Sequence, residues 1–381
     1  MNTVYFDHNS TTALKPEVLQ AMLPWLSQTA GNATSRHIYG RNVRDAVEAA
    51  RKEIAECVGV QASQVVFTSG GTEANNFAVK GITTNLTPTQ ILVSAIEHPC
   101  VSRPAQSLAW HEWKVQTLKV NTQGVIDLAD AEQKLNTHTG LVSAMLANNE
   151  TGAIQPIAEL AALTKAKGAL LHTDAVQAFG KLEVDFGALG VNAMTISSHK
   201  IGGPVGVGAL ILDKRVDIAP LLHGGGQERG LRSGTENVAG IVGFAKACKL
   251  AVATLKMRSM AQTKCRDQLE TGLQNLNAVI FGQQAERLPN TSFFAIPNIE
   301  GETLVTALDK AGYAVASGSA CSSDSTEPSH VLLAMGIEPD LARSAVRVSL
   351  GESNSEAEVQ GFLKALQQEV KRLKGLNAVA A

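Results

Sequence analysis

An α/β fold is predicted, with a large unit built on a mainly parallel mixed sheet flanked by helices and a smaller α+β unit beside it. Three observations carry this. The chain has 381 residues, more than one hydrophobic core usually organises. Short apolar runs alternate with helical patterns over the first two thirds, as in βαβ units around a parallel sheet. Past about Leu255 that alternation stops, and a long helical stretch leads into a single strand-like segment. The large unit is assigned to 12–255 and the smaller one to 1–11 together with 256–381.

The apolar runs Val65–Thr68, Ile91–Ile96, Leu141–Ala147, Ala169–Thr173, Ala193–Ser197 and Val207–Leu212 read as buried strands. Helical patterns fall at Asn42–Val58, Thr72–Lys80, Ile157–Ala166 and Glu236–Leu255. In the last third, Asn290–Ile296 reads as a strand and Gly301–Ala311 as a helix. Val359, Phe362, Leu363, Leu366, Val370 and Leu373 then line one helical face, which predicts a core-packing stripe.

Composition narrows the function. Lys and Arg number 33 against 35 Asp and Glu, a formal net charge of -2, and no like-charged run builds a face for nucleic acid or a membrane surface. With 44% hydrophobic and 18% charged residues the chain is ordinary for a globular protein. The N-terminal residues carry no basic-then-apolar pattern and no run of about 18 apolar residues occurs, so a soluble, cytoplasmic protein is expected. Five cysteines, at 57, 100, 248, 265 and 321, form no CxxC pair and leave one over, which suggests neither zinc nor a disulfide framework. Four are expected to be inert thiols in apolar or helical surroundings, and only Cys321 stands apart.

Several segments could carry chemistry. In Ser197-Ser198-His199-Lys200-Ile201-Gly202-Gly203, a lysine follows a buried strand and precedes a glycine-rich loop. Its amine can form an imine with an aldehyde, and Ser197 and His199 could donate to a phosphate; a plain surface lysine is the alternative. Asp174 ends an apolar strand at the edge where parallel sheets bind ligands. There it could hold a pyridine nitrogen protonated, or simply cap a helix. Ser69-Gly70-Gly71-Thr72-Glu73 runs from strand to helix and leaves helix N-terminal amides open to an anion such as phosphate, without the spacing of an NTPase loop. His98 follows another strand, where an imidazole could stack on a ring and exchange protons, and Asn149 closes a further strand at the same edge.

Arg347 lies in the apolar run Ala345-Val346-Arg347-Val348. It has an internal carboxylate partner, a substrate carboxylate, or a solvent-facing place on an alternating strand. Cys321 sits among small polar residues in Ser317-Gly318-Ser319-Ala320-Cys321-Ser322-Ser323, a setting in which a thiol can reach a substrate.

Taken in order, these motifs resemble the cysteine desulfurases of the NifS/IscS type, class-V members of the fold-type-I pyridoxal 5′-phosphate (PLP) enzymes, over nearly the whole chain. Tyr5 to Thr12, Gly31-Asn32 through Gly40, Ser69 to Glu73, Glu97-His98, Asn148-Asn149-Glu150, Asp174 to Gln177, Ser197 to Lys200, Arg229 to Thr235, Ser317 to Ser322 and Glu327 to Leu332 carry the likeness. The resemblance implies that Lys200 holds PLP as a Schiff base, Asp174 pairs with the ring nitrogen, Gln177 and Asn149 sit near the phenolic oxygen, and His98 stacks on the ring. It implies that Gly71, Thr72, Ser197 and His199 hold the phosphate, with Thr235 from the other subunit of a homodimer, and that Asn32 and Arg347 hold the substrate carboxylate. L-Cysteine would become L-alanine, with sulfur passing to Cys321 as a persulfide and on to an iron–sulfur scaffold or another acceptor protein. The chain departs from the family pattern at Ala33-Thr34 and lacks the extended C-terminal tail of IscS-type members. An aminotransferase, a selenocysteine lyase and a non-catalytic assembly partner are the competing readings.

Overall fold

The structure, a computed structural model, describes residues 3–318 and 327–380. Its strands are β1 (Val4–Tyr5), β2 (Val65–Thr68), β3 (Gln90–Ser94), β4 (Lys114–Leu118), β5 (Thr139–Ser143), β6 (Leu170–Asp174), β7 (Ala193–Ser197) and β8 (Gly208–Leu212). They continue as β9 (Val279–Ile280), β10 (Thr291–Ala295), β11 (Tyr313–Ala314), β12 (Ala316–Ser317) and β13 (Ala345–Ser349). Seven strands form one sheet in the order β2-β8-β7-β6-β5-β3-β4. Neighbours from β7 to β4 pair parallel, whereas β8 runs antiparallel to both β7 and β2. This is the mainly parallel mixed sheet that the apolar runs imply.

Those runs lack polar alternation because both faces of the sheet are covered. Leu92 joins one apolar core while its neighbours Ile91 and Val93 join another on the opposite face, the period of two that a strand imposes. Helices Ile38–Cys57 and Val238–Ala253 pack over the first face. A smaller antiparallel sheet, in the order β12-β13-β10-β9, follows, while β1 pairs with β11. The expected helical stripe is buried here: Val359, Phe362 and Leu366 are fully enclosed against Phe294, Val346 and Val348.

Some elements went unpredicted. Edge strand β4 is only partly buried, with Lys114 exposed, and helices Pro16–Ser27 and Pro99–Ser107 each carry a proline inside that breaks the sequence signal. The helix expected from Glu236 starts at Val238, where the Asn237 side chain accepts from Gly240 N, and it bends by 69° into Leu255–Gln274. Among the described residues no single helix is long and apolar enough to cross a membrane.

Edge strand β2 is closed by side chains. Glu228 accepts from Phe67 N at 2.8 Å, and Arg51 and Arg229 donate to Val65 O at 3.0 and 2.9 Å. Arg51 and Glu228 form a bidentate buried pair at 2.6 and 2.8 Å, with the guanidinium 4.6 Å from the Phe67 ring centre. Because β2 leads straight into Ser69-Gly70-Gly71, this pairing also fixes one wall of the cleft described next.

Candidate active site

The carboxyl ends of β3, β5, β6 and β7, together with the turn after β2, meet at one edge of the large sheet, where open α/β sheets bind ligands. A cleft of about 380 Å³ lies there. Nine of the thirteen singled-out residues line it: Gly71, Thr72, His98, Asn149, Asp174, Gln177, Ser197, His199 and Lys200.

Each is set by its element. Helix Gly71–Asn76 continues without interruption to Thr84, and Gly70 at its start has no side chain to cap the first amides. Gly70 takes a φ of 150°, which favours glycine, and a Cβ on Gly71 would stand 2.9 Å from the Val176 side chain. Beside Gly71, the Ser197 hydroxyl is buried and has no partner among the described residues. Together the amides and the hydroxyl make a place for an anion.

Asp174 is buried at the end of β6, where its carboxylate accepts from Asn75 Nδ2 at 2.6 Å and Val176 N at 2.9 Å. It caps no helix, so that alternative falls away. Among the described residues no cation forms an ion pair with it, and burial raises its pKa above the usual carboxylate range. Glu97, buried close by, is raised further by burial and by Asp174.

His98 caps helix Pro99–Ser107, with Nδ1 accepting from Cys100 N at 3.1 Å. The neutral ring therefore carries its proton on Nε2. Burial, then the charge of Lys200, pulls its pKa down to about 4, and His199 falls to about 4 for the same reasons. Lys200 ends a short 3-10 turn and donates from Nζ to the carbonyl oxygens of Asn9 at 2.6 Å and Ser10 at 2.7 Å.

Three singled-out residues stand elsewhere. Asn32 is half-buried and its side chain accepts from the Thr34 amide and hydroxyl. Thr235 lines a separate cleft with Arg232 and Phe67. Arg347 does not face solvent, which corrects that alternative: all of β13 is buried. Its partners are internal, Asp7 Oδ1 at 2.7 Å, Ser10 Oγ at 2.8 Å and Asn149 O at 3.1 Å. Cys321 lies outside the described residues.

Sequence reasoning missed other members of the site. Cys100, expected to be an inert thiol, lines the cleft with Sγ 2.9 Å from His98 Nδ1 and 3.1 Å from Asn75 Nδ2. Burial, then Asp174, pushes its thiol up to about 12. Its position two residues after His98 was the available signal. Asn9, which lies in the opening segment of the resemblance, accepts from both Lys200 and Gln177, and nothing in its local sequence marked it.

Known proteins bear on this arrangement. The family described as aminotransferase class-V matches residues 4–362. A protein named cysteine desulfurase IscS from Dictyoglomus turgidum is 40% identical over 378 residues, 98% of this chain and 96% of that protein. A solved NifS-like protein superposes with a TM-score of 0.92 at 38% identity, covering 97% of this chain and 99% of that one. A structure titled SspA in complex with cysteine gives 0.82 at 31% identity, over 93% and 100% of the two chains. With matches of this length and identity, the chain belongs to the class-V aminotransferase family and, within it, to the cysteine desulfurases.

Proposed function

We propose that this chain is a PLP-dependent cysteine desulfurase that converts L-cysteine to L-alanine and takes up the sulfur on Cys321. The balance is one thiol and one cysteine in, one persulfide and one alanine out. The observation that carries the reading is the meeting of Lys200, Asp174 and His98 around an anion cradle in one cleft.

The residues present fit the cofactor at three points. The uncapped amides of Gly71 and Thr72 and the unpartnered Ser197 hydroxyl suit its phosphate, with His199 beside them. The buried Asp174 carboxylate has no ion-pair partner among the described residues, and a protonated pyridine nitrogen would supply one. Lys200 offers the amine, and Asn149 and Gln177 line the wall near which the phenolic oxygen would lie. When bound, PLP supplies an electron sink that makes the Cα proton and the sulfur of cysteine labile.

The chain's own groups do the rest. Lys200 serves as the base that moves the Cα proton. His98, held neutral with its proton on Nε2, is a donor facing the same space. Cys321 is the nucleophile toward sulfur, and its thiolate is the reactive form. Arg347 supports the substrate carboxylate in this reading, as does Asn32. A homodimer in which Thr235 of one subunit completes the other's phosphate site, a cytoplasmic location, and delivery of sulfur to an iron–sulfur scaffold or another carrier complete the proposal. The resemblance in Arg229 to Thr235 supports the dimer, the relatives named cysteine desulfurase IscS support the delivery of sulfur, and five cysteines without a CxxC pair support the location.

The test is to incubate purified protein with L-cysteine and a thiol reductant and to measure alanine and sulfide together. Both are expected in equal amounts from the intact chain, and neither Lys200→Ala nor Cys321→Ala should release sulfide. Full turnover by Cys321→Ala would instead identify an aminotransferase or a selenocysteine lyase.

A further inference from the structure

Lys181 is 8% exposed and carries no carboxylate partner among the described residues. Its amine donates instead to two side-chain amide oxygens, Asn9 Oδ1 and Gln177 Oε1, each at 2.8 Å. A buried amine so held is costly, and an apolar side chain of equal length would pack there without that cost. The cost here is high: burial first, then Lys200, Arg347 and Arg258, drives its pKa far below the usual lysine range. Burial, and with it Lys181, also lowers the pKa of His8, while Asp7, which raises it, forms its ion pair with Arg347.

What Lys181 holds is the centre of a network. Asn9 is 1% exposed. Its amide nitrogen donates to Asn149 O at 3.1 Å and Thr291 Oγ1 at 2.9 Å, and its backbone nitrogen to Ser349 Oγ at 2.9 Å. Its backbone carbonyl accepts from Lys200 Nζ at 2.6 Å and from Gln177 Nε2 at 2.9 Å. Two cleft residues thus share one carbonyl, and Lys181 grips both the residue that owns it and one of the residues that use it.

We propose that Lys181 is a positioning residue for the reaction: by holding the Asn9 and Gln177 amide oxygens together, it fixes the carbonyl against which the Lys200 amine lies and so sets that amine's approach to the cleft. This rests on the reading of Lys200 as the amine that takes up PLP. Lys181 does not line the cleft. It acts through Asn9 and Gln177, so its loss should disturb placement more than binding.

The experiment uses full-chain protein from which PLP has been removed and to which it is added back. The rate at which borohydride fixes PLP to Lys200 is followed by mass spectrometry, beside the equilibrium affinity for PLP and kcat and KM for L-cysteine. Lys181→Met is expected to slow fixation and lower kcat by about tenfold or more, with PLP affinity and KM within about threefold, because misplacing a reacting group costs rate more than binding. Lys181→Arg, which keeps donors to both amides, should recover part of the loss. If Lys181→Met does not fold, Lys181→Gln, with one amide donor and no charge, should show the same slowed fixation. Fixation at the intact rate in whichever of these variants folds would overturn the proposal, as would losses in PLP affinity and kcat that run in parallel. An intact chain that fixes no PLP on Lys200 would remove the reading beneath it as well, a result distinct from either.

Discussion

The two sides of the cleft are built differently. One side is the carboxyl edge of the large sheet, where Asp174 and Ser197 end their strands and His98 and Asn149 stand a few residues past theirs, so that the ladder of the sheet places them. The other is the N-terminal segment, Asp7 to Ser10, which reaches the cleft only through contacts across more than a hundred residues: Asn9 with Asn149, Gln177, Lys181 and Thr291, and Asp7 with Arg347. Strand ends are positioned by the sheet itself, whereas the segment is positioned by a few buried polar groups. The first side should therefore lose chemistry when altered and the second should lose structure.

The largest expected effect tests the sheet edge. Asp174→Asn removes the carboxylate opposite the proposed ring nitrogen and should cut kcat/KM for L-cysteine by about 10²–10³-fold, in the range for losing a preorganised charge. Its urea midpoint should stay near that of the intact chain. A large loss of stability with little loss of rate would reverse the comparison.

On the other side, Asp7→Ala leaves the buried Arg347 guanidinium without its carboxylate. Breaking such a pair by removing one partner should cost about 3 kcal/mol in urea unfolding. A variant as stable as the intact chain would show that the segment is not held by this pair.

The smallest effect is in the pH dependence. His98 has its pKa lowered to about 4 by burial, against about 6.5 in an unfolded chain. Between those values the unfolded state binds the extra proton, so the stability His98 contributes is complete above pH 6.5 and is lost as pH falls toward 4. Over that window the intact chain should lose up to about 3 kcal/mol that His98→Gln does not lose. Urea unfolding of both proteins at pH 7, 5.5 and 4.5 reads the difference, and parallel curves would contradict a buried neutral ring.

The same division explains what could be read from the sequence. Asp174, His98 and Lys200 are legible because an apolar run ending in a polar residue marks a strand's carboxyl edge, and parallel strands bring those edges together. Strand limits shifted by a few residues, as at Thr139–Ser143 against the expected Leu141–Ala147, since the chain leaves the ladder while staying buried. Asn9 and Lys181 gave no such signal, because their importance lies in partners far along the chain. Arg347 was legible as an arginine that needed a carboxylate, but that the partner is Asp7 follows only from the fold. That Cys100 faces the cleft was not legible, because a helical setting says nothing about which way a thiol on the first turn faces.

The closed edge at β2 has one further consequence. An uncovered outer strand is an invitation for another chain to add to the sheet and begin an aggregate. Here Arg51, Arg229 and Glu228 occupy the donor and acceptor positions that an intruding backbone would need. Any newcomer would have to displace a buried ion pair before forming its first ladder bond, so the large sheet is sealed on that flank against strand addition.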